Sequence, residues 1–135
     1  HVTGVAAHAG VDPGKGVSAV RELARQILDL ERLHDLTRGV SVNAGVISGG
    51  TRPNVVAESA SAIVDVRAPT LADAADVEAA FQQLKPHLSG ASLTVTGGFE
   101  RPPMERSAGV AALYAEAQAA AAELGQTVAE GGTGG

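Results

Sequence analysis

The sequence predicts an α+β domain in which a four-stranded antiparallel sheet carries two helices on one face. Three observations predict it. Residues 56–67 alternate between apolar and polar side chains, which is typical of a strand with one buried face. Residues 17–34 and 70–85 instead repeat their apolar residues every three or four positions, which indicates amphipathic helices. Short strands before, between and after the helices complete the order β-α-β-β-α-β.

The first half of this pattern begins with a strand over residues 2–7. Gly4 lies inside that strand, which suggests that another backbone segment approaches closely there. A loop rich in glycine and proline, residues 8–16, leads into the helix over 17–34. A second strand follows over 39–47, where valine and alanine occupy alternate positions.

The second half begins with a glycine-rich turn over 48–54 and the strand over 56–67. The apolar face of that strand consists of Ala60, Ala62, Val64 and Val66. The next helix begins at Thr70, whose hydroxyl can accept a hydrogen bond from the backbone N–H three residues on. Pro86 stops this helix before a last strand around 93–95. Two right-handed crossovers then place both helices on one face of the sheet, which is the ferredoxin-like arrangement.

The composition changes after Pro103. A helix very rich in alanine follows over 107–124, and residues 127–129 predict the start of a further strand before a run of glycines. A ferredoxin-like fold has no place for this extra C-terminal helix and strand. We therefore assign residues 1–103 to one domain and 104–135 to the beginning of another.

Composition and charge exclude several classes of function. The net charge is −5, no block of Lys or Arg occurs, and aromatic residues make up 2% of the chain. These values argue against nucleic-acid binding, which uses basic patches and stacking platforms. No run approaches the roughly 18 apolar residues of a membrane span, so no membrane partner is expected. The chain has no cysteine and therefore no thiolate metal site.

Three polar residues stand out as candidates for a functional site. His8 lies at the mouth of the glycine- and proline-rich loop, and Asn54 comes just before the third strand. Arg67 lies near the far end of that strand and carries a planar guanidinium suited to a carboxylate. His8 also has the ordinary interpretation of a turn residue, and Asn54 that of an Asx-turn. The ordinary interpretation of Arg67 is a surface ion pair with Asp65 or with another neighbour.

Other chemistries find no support in the sequence. The loop departs from a phosphate-binding P-loop, because Gly10 and Gly14-Lys15 are one residue too close and Gly16 replaces the hydroxyl that holds magnesium. A zinc site needs three or four ligands, whereas the four histidines are scattered along the chain. The chain also lacks the G-x-S-x-G motif of a serine nucleophile. We therefore expect no complete metal or nucleophilic site within these residues.

Four short motifs occur in order along the chain. They are Gly4-x-x-x-His8-Ala9-Gly10-x-x-Pro13-x-x-Gly16-x-x-Ala19, Asn43-x-Gly45-x-Ile47-x-Gly49-Gly50, Asn54-Val55-Val56-x-x-x-Ala60 and Asp65-Val66-Arg67. Together they resemble the lid, or dimerisation, domain of the M20 family of zinc metallopeptidases, above all its glutamate carboxypeptidase and aminoacylase branch. The resemblance covers residues 2–103 as the lid and continues through 104–135 as the return into the catalytic domain.

The resemblance implies a lid that is inserted into a catalytic domain with two zinc ions and that pairs with the lid of a second protomer. The position matched by His8 then reaches into the partner's active site and stabilises the oxyanion of the tetrahedral intermediate. The positions matched by Asn54 and Arg67 contact the substrate, Arg67 through a carboxylate. The zinc ligands and the general-base glutamate of the family fall outside this sequence. We therefore expect the chain alone to hold no zinc and to be inactive.

Two hypotheses of function follow. The first is the lid of a zinc-dependent amidohydrolase that acts, as a homodimer, on a small peptide or an N-acyl amino acid. The alternative is a stand-alone ferredoxin-like module that dimerises or binds a small ligand without catalysis. Clustering of the three candidate residues at one edge or loop rim favours the lid, and scattering favours the module. We expect a cytoplasmic location, with secreted and periplasmic locations left open.

Overall fold

The computed structural model describes residues 1–132 and confirms the α+β, ferredoxin-like architecture. In chain order the elements are β1 (Val2–Thr3), β2 (Ala7–His8), a 3-10 turn (Pro13–Lys15), α1 (Ala19–Glu31), β3 (Ser41–Gly49), β4 (Val55–Val56), β5 (Ser59–Arg67), α2 (Leu71–Gln82), β6 (Ser92–Leu93) and α3 (Ala108–Glu123). Four strands form one antiparallel sheet in the order β3-β5-β1-β6. β2 and β4 form a separate antiparallel pair. This strand order is the one that two split βαβ units generate.

The core lies between one face of the sheet and the helices α1 and α2. Its buried residues are Val2, Ala19, Leu23 and Ala60 in one cluster and Leu30, Val40, Val42 and Val77 in another. The apolar side chains of β5 that alternate in the sequence all contribute to these two clusters. The predicted alternation is therefore confirmed, and with it the placement of both helices on one face.

Each helix begins at a hydroxyl side chain that caps its first turn. The oxygens of Ser18, Thr70 and Ser107 each accept a hydrogen bond from the backbone N–H three residues on, at 3.2, 3.0 and 3.2 Å. Such caps satisfy one of the N–H groups that the first turn leaves without a helical partner. The predicted cap at Thr70 is confirmed.

The strand predicted over 2–7 is divided at Gly4. The N–H of Gly4 donates to the carbonyl of Glu58 at 2.8 Å, and Val5 then pairs with Val17 instead of continuing along the sheet. A Cβ on Gly4 would lie 2.0 Å from the carbonyl oxygen of Val17. Only glycine fits this contact, so the predicted close approach is confirmed and also explains why the strand breaks.

A buried carboxylate ties α1 to the loop after α2. The Glu22 side chain accepts hydrogen bonds from the N–H groups of His87 and Leu88 and from Nε2 of Gln26, at 3.0, 2.7 and 2.6 Å. Burial alone raises the pKa of Glu22, but the hydrogen bonds outweigh it, so the pKa lies below its ordinary value. The amphipathic pattern of α1 did not predict these buried polar residues.

The C-terminal helix has a different environment. α3 forms where it was predicted, but Ala121 is its only buried residue and Leu113 is 68% exposed. The strand predicted over 127–129 is wrong: among the described residues no strand follows α3, and the Val128 carbonyl instead accepts a hydrogen bond from the Tyr114 hydroxyl at 2.9 Å. The last three residues of the predicted glycine run lie outside the described residues.

Candidate functional site

The short pair of strands β2 and β4 brings the backbones of His8 and Asn54 close together. His8 lies opposite Val55 in the antiparallel register, and the N–H of Ala9 donates to the Asn54 carbonyl at 2.9 Å. Both residues are exposed to solvent. Two of the three predicted site residues therefore meet at one corner of the domain, although they are far apart in sequence.

The imidazole of His8 is oriented by the loop that follows it. Its Nδ1 accepts hydrogen bonds from the backbone N–H groups of Gly10 and Val11, at 3.2 and 3.1 Å. A ring nitrogen that accepts a hydrogen bond carries no proton, so the neutral ring has its proton on Nε2. This leaves an N–H donor in a fixed orientation, which is the kind of group that stabilises developing negative charge.

The loop itself is supported at several points. The N–H of Asp12 donates to the His8 carbonyl at 3.0 Å, and the Asp12 side chain pairs with Lys15 at 3.0 Å. Gly16 lets the loop pack directly on β4, because a Cβ at this position would lie 2.8 Å from the side chain of Val56. The glycines and proline of the sequence motif therefore hold the corner that carries His8 and Asn54.

Arg67 lies at the end of β5 and has a different setting. Its Nε donates to the Asp65 carboxylate at 2.8 Å, and both side chains are about half exposed, at 49% and 56%. The hydrogen bond and the charge of Asp65 raise the pKa of Arg67 above its usual value. The predicted surface ion pair is therefore present.

The structure does not bring Arg67 to the corner formed by His8 and Asn54. β5 consists of nine residues and runs from Ser59, which follows β4, to Arg67. At about 3.3 Å per residue, its eight steps span about 26 Å. One small substrate cannot contact both ends of this strand in the same chain.

A zinc ion does not fit the side chains of this chain that the structure describes. Residues 1–132 contain no group of three or more His, Cys, Asp or Glu side chains arranged to hold a metal ion. Within the same range, no helix is long and apolar enough to cross a membrane.

The outer edge of the sheet is apolar. β3 is an edge strand, and its Val46 and Ile47 side chains are 55% and 60% exposed. Val20 of α1, also exposed, lies against Gly49 at the end of the same strand. Soluble proteins usually cover a long apolar edge strand, because it can pair with another chain.

Comparison with known proteins places this chain in a family. Residues 1–90 match the model of a peptidase dimerisation domain, M20_dimer. The chain is 35% identical over 113 residues to a probable carboxypeptidase of Paracoccidioides lutzii, which covers 73% of this chain and 25% of the relative. It is 41% identical over 68 residues to one of the subunits of p-aminobenzoyl-glutamate hydrolase from Escherichia coli, which covers 50% of this chain and 16% of that protein.

Solved structures show the same relationship. An aminobenzoyl-glutamate utilization protein from Klebsiella pneumoniae matches with a TM-score of 0.56 and 35% identity, over 60% of this chain and 21% of that one. The aminopeptidase PepT from Bacillus cereus matches with a TM-score of 0.68 and 27% identity, over 99% of this chain and 36% of that one. The chain spans a quarter or less of the length of the two curated relatives. The family resemblance carried by the four sequence motifs is confirmed: the chain belongs to the M20 peptidase family, and its first two thirds are the peptidase dimerisation domain.

Proposed function

We propose that this chain is the lid of a zinc-dependent amidohydrolase that works as a homodimer on a small peptide or an N-acyl amino acid. One observation carries the proposal: in the dimerisation domain, two backbone N–H groups donate to Nδ1 of His8 and orient its ring, which leaves Nε2 to donate to a substrate. The names of the relatives, a probable carboxypeptidase and a p-aminobenzoyl-glutamate hydrolase, support hydrolysis of an amide bond. Two zinc ions and the general base then belong to a catalytic domain outside residues 1–103.

Each candidate residue has a role that suits its setting. The Nε2–H of His8 donates to the oxygen that becomes negative in the tetrahedral intermediate. The side-chain amide of Asn54 binds the polar part of the substrate near the scissile bond. The guanidinium of Arg67 binds a substrate carboxylate through two parallel hydrogen bonds, replacing or sharing its contact with Asp65.

The distance between the two ends of β5 supports an active site made from two protomers. His8 and Arg67 of one chain are too far apart to contact one small substrate, so a site that uses both takes them from different chains. The exposed apolar edge formed by β3 and Val20 is the surface that we assign to contact between the lids. Pairing of two such edges covers the exposed backbone groups and the apolar side chains of both chains.

Mixing two inactive variants of the full-length enzyme tests this proposal. One carries His8→Ala, and the other lacks the general base of the catalytic domain. A mixed dimer contains one site with an intact base from the first variant and an intact His8 from the second. We expect activity to return on mixing, to a fair fraction of the wild-type rate.

The control is each variant incubated with itself, with the exchange of protomers followed by native mass spectrometry. If mixed dimers form and no activity returns, then His8 does not act in the partner's site. Wild-type activity of the His8→Ala variant alone would leave His8 as a turn residue and support a dimerisation module without catalytic residues of its own.

A further inference from the structure

Strand β3 places a further polar side chain beside Arg67. In the antiparallel register of β3 and β5, Asn43 lies opposite Asp65, whose carboxylate accepts the hydrogen bond from Arg67. Opposite residues of an antiparallel pair project their side chains from the same face of the sheet. The valines that alternate with these three residues pack in the core beneath the helices. Asn43, Asp65 and Arg67 therefore share the outer face of the sheet, away from the helices.

The hydrogen-bond pattern of β3 sets how close these side chains are. The N–H of Val42 points away from β5, because it donates to Nδ1 of His34 at 3.2 Å. The next residue therefore directs its backbone groups towards β5, so Asn43 and Asp65 form a hydrogen-bonded pair with Cα atoms about 5.5 Å apart. Arg67 is the diagonal neighbour of Asn43, at about 7–8 Å. A carboxylate that contacts the guanidinium is then within reach of the Asn43 amide.

A β-bulge in β3 leaves room for this amide. The register shifts by one residue between Ala44 and Val46, so Gly45 has no partner across the strands. A Cβ on Gly45 would lie 3.2 Å from Nδ2 of Asn43, which is closer than most such contacts. The φ angle of Gly45 is not positive, so the backbone itself does not call for glycine. Bulges direct side chains and are common next to active sites, and here the glycine gives the neighbouring amide its space.

The Asn43 amide has hydrogen-bonding capacity that the fold does not use. Its side chain is exposed and makes no hydrogen bond within residues 1–132. The amide nitrogen carries two donors, and a carboxylate has about four lone-pair sites. The guanidinium of Arg67 fills two of these sites when it binds through two parallel hydrogen bonds. A third donor from the opposite strand fits one of the remaining sites.

We propose that Asn43 is a further substrate-binding residue, whose side-chain amide donates to the carboxylate that Arg67 binds. This inference deepens the proposed function and rests on it. Asn43 and Arg67 belong to the same protomer and therefore to the same active site, whereas His8 of that site comes from the other protomer. Donors from both strands favour a free carboxylate over a carboxamide, which offers one acceptor oxygen instead of two. Asn43 thus contributes to specificity for substrates with a free carboxylate.

Kinetics of the full-length enzyme with matched substrates test the proposal. The substrates are a series of N-acetyl amino acids and the primary amide of each. Asn43→Ala should raise KM for the free acids by about tenfold with kcat nearly unchanged, because the lost hydrogen bond to a charged group is made in the ground state as well. The KM for the amides should change by less than about twofold. Ser61→Ala, on the same face of β5 and four residues before Asp65, is the matched control and should change neither value.

Gly45→Ala tests whether the bulge positions the amide. The added Cβ displaces Nδ2 of Asn43, so the KM for the free acids should rise by about two- to fivefold. In the Asn43→Ala background the same substitution should have no further effect, because the displaced group is absent. A purely structural role of Gly45 predicts instead an equal loss in both backgrounds, together with a lower thermal unfolding midpoint.

Several results would overturn the proposal. An unchanged KM of Asn43→Ala for the free acids would remove the contact, and an equal rise for acids and amides would mean a general disturbance of the sheet. Equal effects of Gly45→Ala in both backgrounds would refute the role of the bulge. Calorimetric titration with the same compounds separates this inference from the proposed function. Acids that bind through Asn43 and are not hydrolysed would refute the proposed function alone, whereas failure of every acid to bind would refute both.

Discussion

The two ends of β5 hold their polar residues in different ways. His8, near the Ser59 end, is oriented by main-chain groups, since two backbone N–H groups bind its ring and β4 pairs with its strand. Arg67, at the other end, contacts the exposed side chain of Asp65. A donor fixed by the backbone suits charge that appears at one point in the transition state. The planar guanidinium of a half-exposed arginine suits a carboxylate that is present throughout the reaction.

The largest expected effect comes from removing the fixed donor. In the full-length enzyme, His8→Ala should lower kcat and kcat/KM together, because an oxyanion donor acts mainly in the transition state. Loss of one such donor typically costs on the order of 10²–10³ in kcat. Steady-state kinetics with a saturating substrate series measures both parameters.

Val11→Ala is the matched control for that variant. Val11 lies in the same loop, its side chain is 71% exposed, and the substitution keeps the backbone N–H that binds His8. The control should keep wild-type kcat. A large rise in KM with unchanged kcat for His8→Ala would show that His8 binds the substrate in its ground state. His8 and Arg67 would then have the same kind of role at the two ends of β5.

The next largest effect is expected at the other end of β5. Arg67→Ala should raise KM by about 10- to 100-fold with a smaller change in kcat, because a carboxylate contact is made in the ground state as well. The KM of Arg67→Lys should lie between those of the wild type and Arg67→Ala, since lysine keeps the charge and loses the planar pair of donors. The KM of the wild type should also rise with salt, while kcat stays nearly constant. A loss confined to kcat would argue against a carboxylate contact.

Local sequence patterns were sufficient for much of the fold. The alternation along β5 and the cap at Thr70 depend only on residues that are close together in the sequence, so both could be predicted from it. The break of the first strand depends on the pairing of Val5 with Val17, and the burial of Glu22 depends on a loop that follows α2. Contacts of this kind join distant segments, and no local period predicts them.

The same distinction applies to the candidate site. The motifs identified His8, Asn54 and Arg67, but the adjacency of His8 and Asn54 follows from the pairing of β2 with β4. The separation of Arg67 follows from the length of β5. Residues 127–129 show the opposite case: their composition predicts a strand, but among the described residues no strand follows α3.

A smaller effect is expected from loosening His8 while keeping its side chain. Gly10→Pro removes one of the two N–H groups that bind Nδ1, and a neutral hydrogen bond of this kind is worth about 2- to 10-fold in kcat. Gly10→Ala is the matched control, because it keeps the N–H and its Cβ lies in ordinary contact, 3.6 Å from Cε1 of His8. Nitrogen NMR of the ring should show the proton on Nε2 in wild type and Gly10→Ala, and a mixture of tautomers in Gly10→Pro. Protonation on Nδ1 in the wild type would contradict the orientation described for His8.

The smallest expected effect tests the side-chain contact at the other end. Asp65→Asn removes the carboxylate that competes with a substrate for Arg67, and an exposed ion pair is a weak competitor. We therefore expect KM to fall by about two- to fivefold, with kcat unchanged and with a stronger dependence on salt, because Asp65 no longer offsets the charge of the guanidinium. Combining Asp65→Asn with Arg67→Ala should give the KM of Arg67→Ala alone, because the competitor matters only while the guanidinium is present. A rise in KM for the single variant would mean that Asp65 orients Arg67 towards the substrate, so that both ends of β5 would hold their residues in fixed positions.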